Sequence, residues 1–141
     1  MFSSQAEIET IAQGLLDKSL PKAEWTHAAH FAAGVWLLAA PDYEAYRDMP
    51  DIIRRYNEAT GVVNSDKEGY HETITIASLK VCEYFLRRSN IPSELYQTIN
   101  ELLKSPYGQS KWVFEHWSQS CLFSVKARQE WVPPDIKALN L

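Results

Sequence analysis

The stretch from His27 to Ala40 limits the possible folds more than any other part of this chain. At about 100° per residue, Phe31, Gly34 and Leu38 fall within roughly 40° of His27, while Ala29, Ala33 and Trp36 cover the other side. A helix that is apolar nearly all round must be enclosed by others, so it is expected at the centre of a helical bundle. Thr26 is its predicted N-cap, and Pro41 stops it.

The flanking segments carry helical signals as well. Ser4 followed by Glu7 forms a capping-box pattern ahead of Ile8, Ile11, Leu15 and Leu16, which predicts a first helix to about Lys18. Asp42 is the expected cap of a third helix ending at Gly61, with Pro50 expected to kink or divide it. The composition of Gly61 to Gly69 is that of a loop. A fourth helix is expected from about Tyr70 to Arg88. A fifth follows, started by Pro92 and stopped near Ser105-Pro106, and short segments cover Gln109 to Trp117 and Ser124 to Trp131. No alternating strand pair with a hairpin turn is present. The expected architecture is all-α: one domain over 1–141, with a four-helix-bundle-like core and short additional C-terminal helices. The fifth helix is amphipathic and can pack on the bundle or on a second copy of the chain, as a homodimer.

Composition narrows the partners. The net charge of −4, with no basic stripe, argues against nucleic acid. The longest apolar run, Phe31 to Ala40, is too short to span a bilayer. No basic region followed by an apolar run opens the chain, and its two cysteines lack a CxxC spacing, so a reducing, cytoplasmic setting is expected.

Candidate chemistry gathers at the starts of two helices. His27 and His30 share one apolar stripe, and His71 lines up with Thr75, Ser78, Cys82 and Phe85 on a later one. Three imidazoles at the same end of neighbouring helices suit a mononuclear centre in which His27, His30 and His71 hold a divalent transition metal (zinc, iron, nickel or manganese). Three protein ligands leave a position open, where the metal would acidify water or polarise the carbonyl of a small polar substrate by Lewis-acid or metal-hydroxide chemistry. Glu72 is rotated by about 100° from His71 and is expected at the edge of the site, as a catalytic base near bound water. Trp25, Tyr70 and Thr75 are the candidate substrate-binding residues.

Each of these residues also has a plainer explanation. Buried histidines need only a hydrogen-bond partner. Trp25 and Tyr70 suit hydrophobic staples at helix starts, and Thr75 can bond back to a carbonyl one turn earlier. The other functions left open are a non-catalytic metal- or small-ligand-binding module, a metal-free acid–base enzyme with His71 or His30 oriented by Glu72, and a purely structural or interaction protein. His116 has no paired ligand in sequence and is left outside the site. Arg54, Arg55 and Arg128 are expected on solvated faces or in ion pairs, and Cys82 as a buried, inert thiol.

Three motifs occur together: Trp-Thr-His-Ala-Ala-His at 25 to 30, Gly-Tyr-His-Glu-Thr-Ile-Thr at 69 to 75, and Phe-Ser, Ala-Arg and Trp-Val-Pro-Pro-Asp between 123 and 135. In combination they resemble a family of short, uncharacterised bacterial helical proteins, over about residues 20 to 138. The resemblance supports the choice of residues and implies no particular reaction. In fold class and ligand count the chain is also loosely similar to the DinB-like bundles, which hold a metal with three histidines from different helices.

Overall fold

A computed structural model describes residues 1–89 and 94–141. Its described residues form helices and no strand. The longer helices are α1 (Gln5–Asp17), α2 (His27–Ala39), α3 (Ala45–Ala59), α4 (Glu72–Arg88) and α5 (Leu95–Lys104). Two short ones follow, α6 (Gln119–Leu122) and α7 (Val125–Gln129), and 3-10 turns occupy Lys22–Glu24, Pro106–Gly108 and Trp112–Glu115. No helix among the described residues is long and apolar enough to cross a membrane.

α2 is the central helix, as its apolar circumference requires. It packs against α1, α3, α4 and α5, and Phe31, Ala32, Ala33, Val35 and Leu37 are sealed from solvent. Two apolar clusters divide around it. Ile8, Phe31, Val35, Val81, Ile99 and Trp117 belong to the one that extends under the C-terminal segment. Leu15, Leu37, Met49, Tyr56, Tyr70 and Leu79 belong to the other, beneath α3. α5 packs on α1, α2 and α4 of the same chain, so its apolar face is used within the bundle. Among the described residues, α5 thus joins α1 to α4 in the core.

Local chemistry explains most boundaries. Ser4 caps α1 by accepting from the Glu7 amide at 3.3 Å, while Glu7 reaches back to the Ser3 amide at 2.7 Å, one residue earlier than a simple capping box places it. Thr26 caps α2 through the Ala29 amide at 3.2 Å. α3 departs from expectation twice. Its cap is Glu44 rather than Asp42, and the Glu44 carboxylate accepts from the Arg47 amide at 2.7 Å. Pro50 neither ends nor divides α3. The proline removes the hydrogen bond to the Tyr46 carbonyl, but the continuous helix buries Met49, Pro50, Ile53 and Tyr56 on one face, and that burial outweighs one lost bond.

The expected helix start at Pro92 lies outside the described residues. The segment from Gln109 to Trp117 forms a 3-10 turn instead of an α-helix, with Trp112, Val113 and Trp117 buried. α6 was not anticipated. Ser118 caps it, accepting from the Cys121 amide at 3.2 Å, and is held by Asp135 through an Oγ–Oδ2 bond of 2.6 Å.

Candidate functional site

The starts of α2 and α4 are built to one plan. In each, an aromatic residue precedes the cap, the cap accepts from the amide three residues on, and the fifth residue from the aromatic packs back toward it. At α2 these are Trp25, Thr26, Ala29 and His30, with the Trp25 and His30 rings stacked at 3.8 Å and 28°. At α4 they are Tyr70, His71, Ile74 and Thr75; burial and the bond to Glu72 push the Tyr70 phenol pKa up, with the Thr75 hydroxyl acting against them. Both are the hydrophobic-staple arrangement with a polar residue in the closing position.

His71 is the cap itself. Its Nδ1 accepts from the Ile74 amide at 3.2 Å and its Nε2 meets the Leu122 carbonyl at 2.6 Å, a bond in which only the ring nitrogen can donate. No lone pair remains. Burial lowers its pKa, opposed by the Leu122 bond and assisted by nearby Arg128, so the neutral ring with its proton on Nε2 is favoured.

The rest of the Gly69 to Thr73 motif docks the C-terminal segment. Arg128 donates to the Gly69 and Tyr70 carbonyls at 3.1 and 3.3 Å. The Thr73 hydroxyl lies 2.7 Å from the Ala127 carbonyl and 2.9 Å from that of Glu130, and accepts from the Val132 amide at 3.2 Å. Gly69 has φ +82°, and a Cβ there would collide with the Val63 carbonyl. The second and third sequence motifs are thus two halves of one joint.

The ligand set of His27, His30 and His71 is not assembled. Among the described residues no three His, Cys, Asp or Glu side chains lie close enough to share an ion, and His71 has no nitrogen left to coordinate one. His27 directs Nε2 to the Tyr107 carbonyl at 3.0 Å and packs edge-on against Phe31. Glu72 is drawn away as well: its carboxylate accepts from the Tyr70 hydroxyl at 2.6 Å, and the Arg54 guanidinium lies 4.2 Å over the Tyr70 ring. The one-residue offset that moved Glu72 off the His71 face in sequence also keeps it off His71 in space.

His30 is placed differently. Its Nδ1 donates to the Thr26 carbonyl at 2.7 Å, which fixes the tautomer and leaves Nε2 as an acceptor that has no protein partner among the described residues and is not sealed from solvent. The ring lines a cavity of about 40 Å³ enclosed by α2, α3 and α4, together with Thr75, Ser78, Cys82, Met49 and Ile53. Burial lowers the His30 pKa to about 4, against the Thr26 bond, which raises it, with His27 lowering it further. Burial likewise pushes the Cys82 thiol far up, so it stays protonated. The cavity therefore offers an imidazole acceptor and two hydroxyls among apolar walls, beside a thiol that donates to the Phe31 carbonyl at 3.7 Å.

Thr75 is the predicted substrate-binding residue that lines this cavity. Trp25 and Tyr70 stand behind its lining as staples. The apolar contributors Met49 and Ile53 come from α3, and no pattern in the sequence marks these two as part of a site. The equivalence of His30 with Thr75 was readable from matching positions 25 to 30 with 70 to 75, but only by aligning the caps and not the histidines. No protein-family model, no curated protein and no solved structure matches the chain.

Proposed function

We propose that the chain is a small-ligand-binding helical protein whose site is the cavity between α2, α3 and α4. The observation that carries this proposal is the unpartnered Nε2 of His30 on a ring whose tautomer is already fixed. The ligand presents a neutral hydrogen-bond donor, a hydroxyl or an amide, to Nε2, and meets the Thr75 and Ser78 hydroxyls beside it. At about 40 Å³ the cavity takes a group of up to about four heavy atoms, well below the usual size of a cofactor pocket. Binding is favoured over base catalysis because an imidazole with a pKa of about 4 is a poor proton acceptor near neutrality.

A second function is supported by one observation. His27 Nδ1 and His30 Nε2 both keep lone pairs one helical turn apart, and imidazole nitrogens are good ligands for zinc, iron or nickel. A metal held there would carry the Lewis-acid chemistry expected from the sequence, with substrate or water completing its shell.

Amide-resolved NMR titration with acetamide, urea and ethanol, repeated with each metal, tests both. Shifts that saturate at Gly34, Thr75 and Ser78 and vanish in His30→Gln support the binding site. About one equivalent of metal lost in both His27→Gln and His30→Gln supports the metal centre. Unchanged spectra under every addition overturn both.

A further inference from the structure

On the far side of α4 from this cavity, the helix and the C-terminal segment enclose an open groove of about 530 Å³. Its cations are Lys80, Arg87 and Arg88, against one side-chain carboxylate, Glu83, which already pairs with Arg87 at 3.3 Å. Among the described residues neither Lys80 nor Arg88 has a carboxylate partner. Each rests on a ring instead: Lys80 Nζ lies 5.4 Å from the Trp131 centroid, and the Arg88 guanidinium lies 4.2 Å from that of Tyr84. A chain with net charge −4 thus concentrates unpaired positive charge beside half-buried aromatic rings in one concave place.

The spacing selects an occupant. Lys80 and Arg88 are separated by two turns of α4, about 12 Å along the axis. Two carboxylates three or four residues apart on an extended peptide span about the same distance, at ~3.3 Å per residue. Tyr84 and Trp131 stand between, where an apolar side chain of such a peptide would lie. We propose that this groove binds an extended acidic peptide segment, with one carboxylate at Lys80, another at Arg87 and Arg88, and an apolar residue over the rings. A single small anion cannot use both ends, and a concave site suits a strand of peptide better than a flat lipid surface.

Fluorescence anisotropy of a fluorescein-labelled peptide with two Asp-Glu pairs flanking two leucines tests this on the full chain. Saturable binding is expected, weakening several-fold between about 20 and about 200 mM salt. It should fall about tenfold in Lys80→Gln/Arg88→Gln at unchanged far-ultraviolet circular dichroism. Should that variant unfold, Glu83→Gln makes the same test in the other direction by releasing Arg87, and tighter binding is expected. Equal affinity for a peptide with lysine in place of its acids, displacement by citrate at similar concentration, or stronger association with phosphatidylserine vesicles would each overturn the proposal. So would affinity unchanged in both variants.

Discussion

The two helix starts differ by a single exchange of roles. At α2 a threonine is the cap and a histidine closes the staple; at α4 a histidine is the cap and a threonine closes the staple. The cap position consumes a histidine, because Nδ1 must accept from the helix and Nε2 is then a donor, satisfied here by Leu122. The closing position spends one nitrogen on the preceding turn and leaves the other for a ligand. Histidines of the same helical turn can therefore be structural or available, and their place relative to the cap decides which.

The largest expected effect follows from that asymmetry. His71→Ala removes a cap, about 1 kcal/mol, and orphans the buried Leu122 carbonyl, about 1–3 kcal/mol more. Urea denaturation should register the sum, with His71→Asn recovering about 1 kcal/mol because asparagine caps well. His30→Gln should cost under about 1 kcal/mol. Equal losses at the two positions would erase the distinction.

Acid should separate the two starts as well. His30 has a folded pKa of about 4 against an ordinary value of 6.5, so the unfolded chain binds the proton first. Its contribution to stability is whole above pH 6.5 and is lost as the pH falls toward about 4, by up to about 3 kcal/mol. His71, also lowered, adds a loss of the same sign. Stability measured between pH 7 and pH 4 should fall, and His30→Gln should remove the larger part of the fall. A profile identical to that of the parent would show that His30 is as open to protonation folded as unfolded.

Trp25→Ala ranks next. It strips the stack from His30 and opens the ring to water, costing about 1–2 kcal/mol and moving the His30 pKa back toward 6.5 in an NMR titration. A pKa that stays near 4 would mean that the bundle, and not the staple, desolvates the ring.

The same asymmetry explains what the sequence could and could not convey. Helix periods, caps at Ser4 and Thr26, and the centrality of α2 are local or one-dimensional properties, and they are all present in the structure. Pro50 misleads because its penalty is local while its compensation, burial against the second cluster, is tertiary. His71 misleads for a related reason. Face arithmetic places it inward, correctly, but its partner is a backbone carbonyl 51 residues away, and backbone partners leave no trace in sequence. The C-terminal motifs carried the same silence: Arg128 and Thr73 serve carbonyls and an amide, so their joint with residues 69 to 73 could be seen only in three dimensions.

The smallest effect is the most specific. Thr75→Val keeps the branched shape and volume of the residue that closes the α4 staple, and Thr75 is only half-buried, so stability should change by no more than about 0.5 kcal/mol. What it removes is one of the two hydroxyls lining the cavity beside His30. If a ligand is held by Nε2 and these hydroxyls together, affinity for acetamide should fall about five- to tenfold, the worth of one neutral hydrogen bond. Affinity that is untouched while His30→Gln abolishes it would place the ligand on the α2 side of the cavity alone, and the matched plan of the two helix starts would then be a packing device with a ligand on only one of its halves.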